Sequence, residues 1–374
     1  MSSDLLDALT ALEEQKGISR DVLIEAIEAA LLTAYKRNFN QAQNVRVDLN
    51  LETGSMVVYS RKDVVEEVEN EYLQISLEDA IKINPAYELG DVLEQEVTPR
   101  NFGRIAAQTA KQVVTQRVRE AERGLVYEEY MDRADDIVVG TIERQDARNI
   151  YVSLGKVEAA LPVNEQIPTE EYRPQAKIRV YITKVERATR GPQIIVSRTH
   201  PGLLRRLFEM EVPEIYDGTV EIKSIAREAG DRSKISVLAH NPEVDPVGSC
   251  VGAKGARVQT IVNELNGEKI DIVEWSEDPV VFVANALSPS KVLDVQVNEE
   301  EKSTTVVVPD YQLSLAIGKR GQNARLAAKL TGWKIDIKSE TDARELGIYP
   351  NENSTFVPRE EDEVEFDLYA DDEE

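Results

Sequence analysis

Apolar residues recur four apart along SRDVLIEAIEAALLTAYKRNF, residues 19–39. Val22, Ala26, Ala30 and Ala34 form one column and Leu23, Ile27 and Leu31 a second, which predicts an amphipathic helix. Gly17 ends a preceding helix, and Ser19 is placed to cap this one. The pattern then changes period: NVRVDLNLETGSMVVYS alternates, turns at Thr53-Gly54 and alternates again, as a hairpin does. A long helix is predicted after TPRNFG, with Ala106, Ala110, Val114, Val118 and Ala121 along one side, and residues 124–136 read as an interdomain joint. Residues 137–200 hold about five short strands separated by turn chemistry, the number a small closed OB-type barrel needs. HPGLLRRLFEMEVPEIYDG then predicts a helix and a proline-bearing turn.

The last third of the chain is written twice. CVGAKGARVQTIVNELNGEKIDI at 250–272 matches AIGKRGQNARLAAKLTGWKIDI at 316–337. Val251 answers to Ile317, the glycines to one another at 252/318 and 255/321, and Lys254 to Arg320, with Lys319 beside it. Leu265, Gly267 and KIDI at 269–272 answer to Leu330, Gly332 and KIDI at 334–337, so the match is an internal repeat. A Gly-x-x-Gly turn by itself says little, since it also serves as a plain helix–turn–helix joint. Two matched copies, each with a basic residue inside and a helix behind, point to a phosphate site. The backbone can approach a phosphodiester where no Cβ intervenes, and the helix end attracts the anion. Val258, Ile261, Val262 and Leu265 then fall at core spacing behind the first loop, leaving a narrow groove for unstacked bases.

Charge qualifies this picture without reversing it. The chain has 374 residues and a formal net charge of −25, which at face value argues against nucleic acid. The charge is segregated: residues 351–374 hold eleven acids and one arginine, whereas 310–338 and 100–123 each hold six basic residues and two acids. Local basic segments therefore stand in an acidic chain. The single cysteine, Cys250, excludes an internal disulfide and reads as a small packing residue. The start, MSSDLLDALTALEEQ, lacks the features of a signal peptide, and no apolar run approaches the ~20 residues of a membrane helix, so a cytoplasmic protein is expected.

The two repeats resemble KH domains. Together with NFNQAQNVRVD, NFGRIAAQTAKQVVTQRVREAER, RTHPGLL and SPSKVLDV, SCVGAKGARVQTIVNEL and DYQLSLAIGKRGQNARLAAKLTGWKIDI resemble the NusA family of bacterial transcription termination/antitermination factors over nearly the whole ordered chain. The resemblance implies a multidomain α+β chain. It has a helical/β N-terminal RNA polymerase-binding domain at 1–126, an S1-type OB-fold barrel at 137–200, two tandem KH (α/β) domains at 202–276 and 277–345, and a disordered acidic tail at 346–374. It implies docking on the polymerase core near the RNA exit channel. It also implies capture of nascent single-stranded RNA, effects on pausing, hairpin-dependent termination and antitermination, and partnership with other Nus-type factors and ribosomal proteins.

The candidate RNA contacts are Gly252, Ala253, Lys254, Gly255 and Arg257 in the first repeat and Gly318, Lys319, Arg320, Gly321 and Arg325 in the second. Gly318→Asp is expected to remove RNA from the second repeat with the fold retained. In the barrel, NIYV places Tyr151 at the aromatic position of S1 domains, but ALPVNE puts Pro162 where a histidine usually stands, so one of two stacking platforms is lost. Lys36, Arg37, Arg104 and Lys111 are candidate contacts to an RNA hairpin stem; the bland alternative is a solvated face.

His200 and His240 stand alone, and no Walker loop, zinc-protease motif or dinucleotide fingerprint occurs, so no enzyme activity, cofactor or metal is expected. A monomer is expected. The runner-up reading is a ribosome-associated or RNA-processing protein built from the same modules.

Overall fold

The computed structural model describes residues 19–39, 44–50, 55–189, 191–350 and 356. The chain divides into two compact units: the first runs to Glu129 and includes Ala188–Pro192, and the second holds the rest.

In the first unit, α1 (Arg20–Phe39) covers a sheet of β1 (Asn44–Asn50), β2 (Ser55–Val65), β3 (Gln74–Ser76) and β4 (Val92–Glu96). β2 is central, antiparallel to β1 and β4 and parallel to β3. The hairpin read from the alternation is present; its turn at Thr53-Gly54 lies outside the described residues, as does the helix expected before Gly17. Of the two apolar columns on α1, only Leu23, Ile27 and Leu31 are fully buried, and Tyr35 extends them. Val22, from the other column, is 48% exposed. The buried column closes on Val45, Val47 and Leu49 of β1 and on Phe102, Ala106 and Ala110 of α3 (Phe102–Met131). A short helix, α2 (Leu77–Ile83), is capped by Ser76 and closes a satellite core of Val64, Ala80 and Leu93.

The expected joint at 124–136 is shorter than the sequence indicated. α3 continues to Met131, because Tyr130 is buried in the second unit and donates to the Leu154 carbonyl at 2.9 Å.

The second unit opens with a closed barrel of β5 (Ile137–Gln145), β6 (Asn149–Ser153), β7 (Glu158–Pro162), β8 (Lys177–Ala188) and β9 (Gly191–Ser197), in the order β5-β6-β7-β9-β8. Next come α4 (Pro201–Glu211) and α5 (Pro213–Tyr216). The first repeat follows as β10 (Val220–Glu228), β11 (Arg232–Ala239), α6 (Pro246–Val251), α7 (Ala256–Glu264) and β12 (Lys269–Glu274). The second is α8 (Pro279–Ala286), β13 (Asp294–Asn298), β14 (Ser303–Val308), α9 (Leu313–Ile317), α10 (Gln322–Thr331), β15 (Lys334–Ser339) and α11 (Glu340–Glu345). Each repeat sheet joins its first two strands antiparallel and adds the KIDI strand parallel to the second. The register also repeats: Ile235 faces Ile272 as Val306 faces Ile337. Three helices start the same way, with an accepting side chain followed by proline at the first turn: His200-Pro201, Asp245-Pro246 and Asp278-Pro279.

Residues 346–350, expected to belong to a disordered tail, are instead held by the second repeat. Ile348 and Tyr349 donate backbone N–H groups to the Ala343 carbonyl, Gln296 donates to the Ile348 carbonyl at 2.7 Å, and Phe356 packs on the second repeat's core. The acidic run at 357–374 lies outside the described residues. No helix among the described residues is long and apolar enough to cross a membrane.

Candidate nucleic-acid interface

The two Gly-x-x-Gly turns have the same backbone. Gly252 and Gly318 adopt φ/ψ of 74°/177° and 75°/171°; Gly255 and Gly321 adopt 74°/10° and 74°/20°. The basic residue between them is left-handed in both copies, Lys254 at φ 53° and Arg320 at φ 55°. Each turn ends one short helix, α6 or α9, and starts a longer one, α7 or α10. Ala253, Lys254, Lys319 and Arg320 are exposed, and the three cations form no ion pair among the described residues.

The glycines of the turns do different jobs. At Gly318 an added Cβ would lie 2.7 Å from the Asn323 backbone nitrogen, and at Gly252 2.7 Å from the Arg257 Cγ. At Gly321 it would meet nothing within 4 Å. The first glycine of each turn is therefore demanded by the fold itself, so Gly318→Asp disturbs the loop as well as any ligand, which corrects the expectation that the fold is retained.

The residue two beyond the second glycine fastens each turn. In the second repeat this is Asn323, only 4% exposed, whose side-chain N–H groups reach the carbonyls of Leu287 (3.1 Å), Ala316 (3.2 Å) and Leu315 (3.4 Å). In the first repeat it is Arg257, which donates to the Ser249 carbonyl and to Glu214 at 2.9 Å. Sequence reasoning took Arg257 for a phosphate contact and passed over Asn323; aligning the repeats by their second glycine places the two side by side.

Arg325 is likewise committed. It donates to Glu228 at 2.6 and 3.2 Å, and its guanidinium holds that carboxyl below the usual range. Gln322 donates to the same Glu228 at 2.9 Å and to Asp231 at 2.7 Å, while the Ser224 hydroxyl donates to the Leu330 carbonyl at 2.9 Å. The Arg325 and Gln322 bonds tie the first turn of α10 to the end of β10 and the β10–β11 turn, and the Ser224 bond ties the last turn of α10 to the middle of β10, so the second loop is anchored on the first module.

The barrel is anchored too. Arg198, 3% exposed, is held by both Glu170 oxygens and donates to the carbonyls of Arg179 (2.8 Å) and Glu264 (3.0 Å), joining β8 and β9 to α7. Arg227 and Glu268 form a fully buried two-bond pair at 2.8 Å, and Arg227 also reaches the His200 carbonyl at 2.9 Å. Asp271, the acid of the first KIDI, accepts from buried Lys234 and from Arg232, both at 2.8 Å. None of these networks was legible in the sequence.

Tyr151 lies on the outer side of β6, with the Arg144 guanidinium 3.5 Å over its ring and its hydroxyl donating to Asp146 at 3.0 Å. The Arg148 and Asn149 N–H groups, and then this hydroxyl, hold the Asp146 carboxyl below its usual range. One face of the aromatic platform is thus already covered by a cation. Lys36 and Arg37 are exposed on the last turn of α1, where Tyr35 and Phe39 meet the Phe102 ring (5.7 and 6.3 Å between centroids) at the start of α3. Arg104 and Lys111 are exposed on α3, Arg104 beside this cluster and Lys111 roughly two turns on. Cys250 is buried, which pushes its thiol up to about 12 and leaves it no nucleophile. No cluster of metal-ligating side chains occurs among the described residues.

An OB barrel followed by two interlocked modules, each presenting a basic Gly-x-x-Gly turn, defines a multidomain RNA-binding protein of the S1–KH class. The sequence comparisons agree along the chain: the NusA N-terminal domain matches residues 4–124, the S1 RNA binding domain 132–197, the NusA-like first KH domain 198–275 and the NusA-like second KH domain 279–345. A transcription termination/antitermination protein NusA of Bacillus subtilis is 76% identical over 94% of this chain and 95% of its own. Those of Halalkalibacterium halodurans and Thermus thermophilus are 73% and 42% identical, over 94% and 90% of this chain and 92% and 90% of theirs. The chain belongs to the NusA family of transcription termination/antitermination proteins.

Proposed function

We propose that the protein is a non-enzymatic transcription factor that holds nascent single-stranded RNA on its KH pair while residues 1–126 dock on the RNA polymerase core near the RNA exit channel. From there it alters pausing, hairpin-dependent termination and antitermination. The observation that carries the RNA half is the matched pair of turns, with Lys254, Lys319 and Arg320 exposed at two helix starts and in no ion pair among the described residues. The phosphate path runs over the exposed backbone at Ala253 and Lys319, while the Gly255 and Gly321 N–H groups close the turns on the Gly252 and Gly318 carbonyls at 3.1 and 3.0 Å; Arg257 and Arg325 position the loops through Glu214 and Glu228. Each module of this kind clamps about four nucleotides, and the bonds between the repeats favour one continuous path of about eight. Tyr151 with Arg144 offers the barrel's contact, and Lys36, Arg37, Arg104 and Lys111 offer contacts to a hairpin stem. Other Nus-type factors and ribosomal proteins fit as further partners in antitermination complexes.

Crosslinking to a paused elongation complex tests both halves. Polymerase crosslinks are expected from the first unit and RNA crosslinks from the two loops. Removal of residues 1–126 is expected to abolish any effect on pause lifetime. A truncated chain that lengthens pauses as the full chain does would overturn the docking assignment.

A further inference from the structure

We infer that Tyr311, together with Leu315, is a base-stacking subsite ahead of the second loop, taking an unpaired nucleobase of the single strand whose phosphates the loop holds. The inference rests on the reading of the second loop as a phosphate site. Tyr311 is 79% exposed, and neither its ring nor its hydroxyl meets a partner among the described residues. Its neighbours are fixed on both sides. Asp310 accepts from the Thr341 hydroxyl at 2.9 Å and from its N–H at 3.3 Å, and the Gln312 side chain accepts from the Lys291 N–H. The ring is thus held out on a rigid turn, and a rigid aromatic binds with little entropic loss.

The surroundings continue the platform toward the cations. Leu315, one helical turn on, is 43% exposed, and Ile317, beside Gly318, is 38% exposed. From Tyr311 to Gly318 the rise is about 10 Å at ~1.5 Å per residue, inside the span of the four nucleotides such a loop clamps. An exposed aromatic–aliphatic pair four residues apart, ahead of Lys319 and Arg320, matches the two halves of a single strand, base faces and phosphates. The first repeat lacks it. The residues in register are Asp245, whose carboxylate caps α6 at the Val247 N–H (3.0 Å), and Ser249, whose hydroxyl donates to the Asp245 carbonyl at 2.7 Å. A stacking subsite therefore distinguishes the second module from the first.

The test compares Tyr311→Ala, Tyr311→Phe and Lys319→Ala in the full chain, titrated with a fluorescein-labelled twelve-nucleotide oligoadenylate over a range of salt. Tyr311→Ala is expected to weaken binding about 5- to 150-fold with the salt slope unchanged, and Tyr311→Phe to bind as the parent does. Lys319→Ala is expected to lower the slope by about 0.7. Parental affinity for Tyr311→Ala alongside a weakened Lys319→Ala would overturn the subsite while leaving the loop in place; a protein dock at Tyr311 gives that result. Equal losses for Tyr311→Phe and Tyr311→Ala would also overturn it, since the ring is kept. If Lys319→Ala too bound as the parent does, the loop reading itself would fall.

Discussion

Arg227 and Glu268 show how much one buried pair carries. Burial pushes the Glu268 carboxyl up, but the two bonds from Arg227 and those from the Gly230 N–H and Ser233 hydroxyl outweigh it and hold the group below its usual range. Its folded pKa lies below the ordinary ~4.3, so the stability it contributes is complete above that pH and is lost as pH falls through the folded value. Arg227→Ala strips the partner and leaves the carboxylate buried, at a loss of about 3–5 kcal/mol at neutral pH. In the variant only the Gly230 N–H and the Ser233 hydroxyl still oppose burial, so the carboxyl pKa rises and acidification toward pH 4 relieves the charge left without its cation. Urea midpoints of the second unit should therefore differ most at pH 7 and converge toward pH 4; parallel pH profiles would refute the account.

At the scale of the element, the loops are helix–turn–helix hinges whose glycines differ in what they tolerate. Gly318 has ψ near 171° at positive φ, a region almost closed to residues with a Cβ, and the added atom would press on the Asn323 nitrogen. Gly321 is left-handed with open space around it. Gly318→Ala is expected to destabilise the second repeat by more than the ~1–3 kcal/mol of backbone strain alone, and Gly321→Ala by only ~1–2 kcal/mol. Denaturant titration followed by Trp333 fluorescence ranks the two. The opposite order would mean that the turn relaxes around a Cβ at Gly318. The glycine spacing was plain in the sequence. The division of labour within it was not, because it depends on where α10 returns against the turn.

The whole second unit acts as one body because charged and amide side chains cross its internal borders: Arg198 between barrel and first repeat, and Arg325 and Gln322 between the repeats. Its start is set by Tyr130, inside what the sequence presents as a joint. A fragment of residues 127–350 should hold RNA as the full chain does. A fragment starting at residue 137 should be less stable by several kcal/mol, since loss of one buried aromatic alone costs about 3–5 kcal/mol. Equal melting curves for the two fragments would show that Tyr130 contributes nothing to the barrel.

The sequence by itself determined the element types, the barrel, the duplication and the two basic turns, because each is a local pattern: a period of two or 3.6, a glycine spacing, a repeated string. Only the tertiary structure decided which cations are free. Arg257 and Arg325 read as equals of Lys254 and Lys319, yet Glu214 and Glu228, 43 and 97 residues away, neutralise them. It also decided which of two apolar columns on α1 is core, and why Asn323, Arg198 and Arg227 sit where polar groups are costly. Burial and ion pairing depend on partners brought together by folding, and no spacing along the chain encodes a contact made across it.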